Sequence, residues 1–263
     1  MNPQEPVLLT SSGGVATITL NRPERKNAID GAMWATLTDL LRQLRNDPGT
    51  RVLVLQGAGG DFCAGADVAK STQAEHPIPR LRRIGDVAQA LFDLPQPVIA
   101  KVDGVAAGAG CNMALACDLV VASERARFSE IFTRRGLSID FGGSWLLPRI
   151  IGLQQAKRLA FLAEVIDARE AERVGLVTWV QPEDQIDNFV ADLARRLAAS
   201  PPIALEQTKA LLNQGVGVDL PTAIRNESTA QAVNFATEDA PAAFRAFLNK
   251  TEPPDYTGRW ALS

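Results

Sequence analysis

The chain has 263 residues, 46% of them hydrophobic and 22% charged, with a formal net charge of −3. A chain of this length buries a sizeable core, as one large α/β domain or one domain with a small appendage, and its mild acidity argues against a general nucleic-acid binder, whose footprint would be basic. With a single histidine, His76, in a polar, proline-flanked stretch that reads as a loop, a triad or a His-based metal site would have to be built on that residue, so acid–base work falls mainly to carboxylates.

In chain order, a Gly13-Gly14 turn leads into alternating Val15 to Leu20, the pattern of a hairpin strand. Asp30 then N-caps a helix carrying Met33, Trp34, Leu37, Leu40, Leu41 and Leu44 on one face. Val52-Leu53-Val54-Leu55 is a short buried strand running into Gly57-Ala58-Gly59-Gly60. A helical stretch follows from about Leu81 to Leu94, then a strand at Val98 to Val102, which Asp103-Gly104 ends. The small-residue run to Gly110 opens a helix through Ala116, and Leu119 to Ala122 is a third buried strand. Repeated strand–loop–helix order implies parallel pairing with helical crossovers. From about Gly143 the pattern is mainly helical, over 143–151, 154–163, 168–174, 183–199, 202–214 and 219–235, with a short strand at Val177 to Val180. The division expected is an α/β core over 1–200 and a helical C-terminal region over 201–263.

Cys63, Cys111 and Cys117 are odd in number and sit in apolar or glycine-rich runs, which suits buried free thiols rather than a disulfide framework or a zinc ribbon. The polar start has no signal-like apolar stretch, and no apolar run approaches the roughly 20 residues of a membrane span. A soluble cytoplasmic protein is expected, with no membrane span, no metal and no nucleic-acid partner. The basic groups Arg80, Arg82, Arg83 and Arg134, Arg135 read as a solvated face or as phosphate contacts.

Two segments share one design. The strand ending near Leu55 and the strand ending at Val102 are each followed by a loop of small residues, Phe62-Cys63-Ala64-Gly65-Ala66-Asp67 and Val105-Ala106-Ala107-Gly108-Ala109-Gly110. The second loop opens directly into a helix, whose N-terminus leaves free N–H donors and partial positive charge suited to an oxyanion. Taken singly, each loop is equally an allowance for close packing or a tight turn. Neither is a phosphate loop of the G-x-x-x-x-G-K-[ST] kind.

Together with the rest of the chain they resemble the crotonase, or enoyl-CoA hydratase/isomerase, superfamily. The resemblance is carried by Thr19-Leu20-Asn21-Arg22-Pro23 with Asn27-Ala28, the two loops, Ala116-Cys117-Asp118, and Gly142-Gly143-Ser144 with Leu147-Pro148-Arg149. Downstream come Ala171 to Val177 and the tail from Ala243-Phe244-Arg245 to Gly258-Arg259. It implies a spiral of ββα units with a helical C-terminal trimerisation region, assembled as homotrimers or hexamers. It also implies an acyl-CoA substrate, with no cofactor beyond the coenzyme A that the substrate carries. The oxyanion donors it implies are the backbone N–H groups of Ala64 and Ala109. Ala64, Gly65, Ala66 and Asp67 would line the CoA path, and Arg25 and Lys26 would contact CoA near its phosphates, with a solvated turn as their equal alternative.

Family hydratases use two glutamates. The first position here is Asn112, an amide that orients a water or a thioester but cannot act as a carboxylate base. An ungapped count back from Gly142-Gly143 puts Phe132 in the second position, whereas a two-residue shift puts Glu130 there. Asp140, inside the apolar run of Leu137, Ile139 and Phe141, is the strongest remaining carboxylate, at a place where several isomerases and dehalogenases of the superfamily carry a catalytic aspartate. Its alternative is an N-cap for the helix starting near Gly143. Asp118 and Asp67 read as structural. The expectation is an isomerase-like proton shuttle by Asp140. The other readings are a different enolate reaction (C–C cleavage or thioester hydrolysis, with Arg134, Arg135 or Ser138 on a substrate carboxylate) and a non-catalytic acyl-CoA binding protein.

Overall fold

A computed structural model describes residues 5–67 and 76–261. Strands β1 (Val7–Ser12) and β2 (Val15–Leu20) pair antiparallel across Gly13 and Gly14, whose φ of +57° and +80° match the primed turn that a twisted two-residue hairpin needs. Every later pairing in this sheet is parallel: β3 (Val52–Gly57), β4 (Val98–Val102), β6 (Leu119–Ser123) and β9 (Trp179–Gln181) follow in the order β1-β2-β3-β4-β6-β9. A second layer holds β5 (Val105–Ala107), β7 (Arg127–Ser129) and β8 (Ile166–Asp167).

The helices are α1 (Gly31–Arg45), α2 (Pro77–Phe92), α3 (Ala109–Leu115), α4 (Gly143–Ile151), α5 (Leu153–Leu162), α6 (Ala168–Arg173), α7 (Ile186–Ala198), α8 (Pro202–Gly215), α9 (Leu220–Phe235) and α10 (Asp239–Asn249). Each central turn of the chain adds one strand to the large sheet, one short extended piece to the second layer and one helix. β3 is followed by the bridge of Cys63 to Ala106 and then α2; β4 by β5 and α3; β6 by β7 and, after a 3-10 turn, α4. This is the spiral of ββα units that the resemblance implies.

Strand β3 shows why the sheet is buried on both sides. Leu53 and Leu55 join the large core under α1, α2 and α3, while Val52 and Val54 face the other way, with Ile99 and Val121, against Ile186, Val190 and Ala194 of α7. Period-2 alternation between two covered faces makes the strand a continuous apolar run.

Several elements differ from expectation, β7 and β8 among them, since neither is marked as a strand in the sequence. Helix α2 begins at Pro77, and His76 is its cap, its Nδ1 accepting from the Ile78 N–H at 3.3 Å. Pro77 and Pro79 disguise the helix in the sequence, yet both fall in the first turn, where no intrahelical partner is lost. Glu75, beside it, lies outside the described residues. Val105–Ala107 forms β5 rather than loop, the later strand is Trp179–Gln181 rather than 177–180, and α10 is an additional helix. The C-terminal helices are tied back by Lys209, whose Nζ lies 2.7 Å from Asp118 Oδ2; Asp118 also accepts from the Val98 N–H at 2.7 Å.

Candidate active site

The first small-residue loop is held from below by two buried side chains. Asn27 donates through Nδ2 to the carbonyls of Ala58 (2.9 Å) and Asp61 (2.6 Å), and its Oδ1 accepts from the Arg22 N–H at 2.8 Å. The Arg22 guanidinium donates to Asp67 Oδ2 at 2.9 Å and to the Ala28 carbonyl at 2.7 Å, so Asp67 ties the end of the loop to Arg22.

These anchors decide which backbone groups are free. The Ala64 N–H donates to the Lys26 carbonyl at 2.9 Å, so it is already used and does not serve as the expected oxyanion donor. Two residues on, Ile29 takes the Gly65 carbonyl at 2.8 Å through its N–H and accepts from the Asp67 N–H at 2.9 Å. Among the described residues every peptide is trans, and a trans peptide points its N–H opposite to its carbonyl. The Ala66 N–H is therefore aimed away from Ile29, and among the described residues it has no acceptor. No sequence signal marks this, because the free group is fixed by pairing with Lys26 and Ile29.

The second loop ends at Gly108, with φ +55°, and Ala109 is the first residue of α3. Its N–H is one of the N-terminal donors left without an intrahelical partner. The two loops touch: a Cβ on Gly65 would lie 3.4 Å from the Ala109 nitrogen and 2.8 Å from the Ala107 carbonyl oxygen, and one on Gly110 would lie 2.2 Å from the Cys63 carbonyl oxygen. Only glycine permits that approach.

Beneath the loops, Asn112 Nδ2 donates to Glu130 Oε2 at 3.3 Å and to the Asp140 backbone carbonyl at 3.0 Å. The structure thus gathers Asn112, Glu130 and Asp140 into one cluster, and Phe132 packs its ring against Gly108. Phe132 and Glu130 both reach this region, one as an apolar wall and the other as a carboxylate only 1% exposed. Asp140 does not cap α4 with its side chain: Gly142 is the cap residue, with no side-chain bond, and Asp140 Oδ1 is buried without a partner. The next residue, Phe141, has a φ of +51°, a left-handed conformation that costs an L-residue energy and is held by its surroundings.

Burial pushes the Glu130 carboxyl up to about 7, with nearby Asp140 adding to the rise and hydrogen bonds from Cys111 and Asn112 opposing it. Burial likewise lifts Asp140 to about 6. Because Glu130 has a folded value above its ordinary 4.5, its contribution to stability is full below that pH and is lost as pH rises through about 7. Glu130→Gln is therefore expected to grow more stable relative to the unsubstituted chain across that window, reaching roughly 3 kcal/mol above it. Thermal melts across pH would test this, and a pH-independent difference would remove the claim.

Arg25 and Lys26 are exposed on the short 3-10 turn Pro23–Arg25 and its exit, with Lys26 Nζ 3.8 Å from Asp61 Oδ2. Arg134, Arg135 and Ser138 are also exposed. A cavity of about 390 Å³ is lined by Phe141 and Gly142, which follow Asp140 in sequence, and by Phe92, Trp145 and Leu146, with exposed Gly85 and Gln89 at its rim. Among the described residues, no three His, Cys, Asp or Glu side chains group as a metal site, and no helix is long and apolar enough to cross a membrane.

The family model described as enoyl-CoA hydratase/isomerase matches residues 10–259. The 1,2-epoxyphenylacetyl-CoA isomerase of Escherichia coli is 37% identical over 94% of this chain and 96% of that protein. The short-chain-enoyl-CoA hydratase of Clostridium acetobutylicum is 34% identical over 96% of this chain and 98% of its own length. Among solved structures, the enoyl-CoA hydratase from Bacillus anthracis superposes with a TM-score of 0.93 at 32% identity, covering 97% of this chain and 100% of that one.

Proposed function

The chain belongs to the enoyl-CoA hydratase/isomerase family, and from that premise we propose that it isomerises an enoyl-CoA thioester, with Asp140 moving the proton. The observation that carries this reading is the Asp140 carboxylate itself: half-buried, lifted to about 6, with Oδ1 unpartnered and its backbone pinned by Asn112. At neutral pH such a group is mostly ionised yet basic enough to take a carbon-bound proton.

The thioester oxygen sits between the N–H groups of Ala66 and Ala109. Asp140 removes a proton from one carbon of the acyl chain, the electron pair moves toward the carbonyl, and the two donors stabilise the resulting enolate oxygen. The protonated Asp140 then returns the proton to another carbon, the carbonyl re-forms and the double bond has moved. Nothing is added or lost, and the coenzyme A stays on the substrate. Gly65 and Asp67 line its path, and the exposed Arg25 and Lys26 meet its phosphates.

A second reading is favoured by one observation: Glu130 is another carboxylate raised in pKa and electrostatically coupled to Asp140, and water addition across the double bond uses a carboxylate pair. A β,γ-enoyl-CoA incubated in heavy water separates the two. The isomerase converts the β,γ ester to the conjugated ester with no added water, and takes up deuterium only where the proton on Asp140 exchanges with solvent before its return. A β,γ ester left untouched while the conjugated α,β-enoyl-CoA gives a hydroxyacyl-CoA would transfer the assignment to the second reading, and no turnover on any enoyl-CoA would end both.

Assembly as a trimer or hexamer through the helical region 201–263, outside the core of 1–200, belongs to the same proposal. Phe247 and Leu248 on α10 are 79% and 75% exposed, an apolar surface suited to burial between copies.

A further inference from the structure

The cavity lined by Phe141 and Gly142 does not end at a wall of backbone. A second cavity, of about 450 Å³, lies between the end of α3, α4 and α8, and both cavities are lined by the same three residues, Phe92, Trp145 and Leu146. Phe92 of α2 and Trp145 of α4 meet edge to face, with ring centroids 5.3 Å apart and an interplanar angle of 82°. Trp145 is braced on its ring face by the Arg149 guanidinium at 4.0 Å, while Arg149 Nη1 donates to the Trp145 carbonyl at 3.0 Å. On the far side the second cavity has Leu212 of α8 and Val216 just beyond it among its walls, and its one carboxylate, Asp118, is neutralised by Lys209 at 2.7 Å.

We propose that the Phe92–Trp145 ring pair is a partition that sets the length of acyl chain the enzyme accepts, with the outer cavity as the chamber a longer chain would fill. The inference rests on the acyl-CoA reading of the site and names what that reading leaves open. Phe141 and Gly142, which follow Asp140 in sequence, line the inner cavity, and in this proposal the carbons beyond the reacting ones run into it. An apolar cavity of about 150 Å³ is enough to hold a benzene ring. The inner cavity, at about 390 Å³, therefore takes a ring-bearing or medium-length acyl group. A longer chain meets the two rings. Removing either ring joins the cavities, and each methylene newly taken out of water then tightens binding by roughly fourfold.

The test is the affinity of saturated acyl-CoAs, which cannot react, measured by calorimetry for butanoyl, octanoyl, dodecanoyl and hexadecanoyl esters. For the unsubstituted chain, affinity is expected to rise to octanoyl and then level off or fall. In Trp145→Ala and Phe92→Ala the ratio of hexadecanoyl to octanoyl affinity is expected to rise by at least about tenfold, whereas Trp145→Phe, which keeps a ring, retains the plateau. The same ratio in both alanine variants as in the unsubstituted chain, with folding shown by circular dichroism, overturns the partition; so does a plateau missing from the unsubstituted chain. Loss of the plateau leaves the isomerase reading standing, whereas no acyl-CoA binding at all would overturn the site reading first.

Discussion

Asp140→Asn is expected to lower kcat/KM on an enoyl-CoA by about three orders of magnitude while binding of a saturated acyl-CoA stays within a few fold. The amide keeps the side chain's shape and removes only its capacity to accept and return a proton. In the unsubstituted chain, burial holds the acid at about 6, above its ordinary 3.8. The sign of the pH dependence follows: the ionised form is the base, so kcat/KM climbs as pH rises through about 6 and is nearly lost two units below. A carboxylate merely capping a helix would titrate near 4 and leave no limb at 6. Full activity in Asp140→Asn, or an acid limb near 4, would show that another group moves the proton.

Much of the fold was legible because each signal is local. Gly13-Gly14 sets a turn, Asp30 caps α1 by accepting from the Met33 N–H at 3.1 Å, and the Val52 to Leu55 run is a strand covered on both faces. Helix α2 was read four residues short, because Pro77 and Pro79 look like breakers until their place in the first turn is known. The loops were legible as a pair of close backbone approaches. Which N–H each loop leaves free was not, since Ala64 is consumed by Lys26 and Ala66 is released by Ile29, and those pairings join segments far apart in sequence. The choice between Phe132 and Glu130 for one position likewise dissolved in three dimensions: the ring packs on Gly108 and the carboxylate bonds to Asn112.

Gly65→Ala is expected to separate the oxyanion donors from the rest of the site. Gly65 lies between the used N–H of Ala64 and the free one of Ala66, at a φ of +94°. A methyl group there meets the Ala107 carbonyl oxygen at 2.8 Å and the Ala109 nitrogen at 3.4 Å, so the first loop must move off the second. That displacement pulls the Ala66 donor out of line with the Ala109 donor. Loss of one such donor costs about two to three orders of magnitude in kcat. The strained backbone adds a stability loss on the order of 2 kcal/mol. Gly215→Ala is the matched control, because a Cβ at the end of α8 has nothing within 4 Å. The enolate oxygen carries more charge than the ground-state carbonyl, so the deficit should appear in kcat, with KM and saturated acyl-CoA affinity changing far less. Equal losses in binding and turnover would mean that the loops shape the CoA path rather than hold the oxyanion.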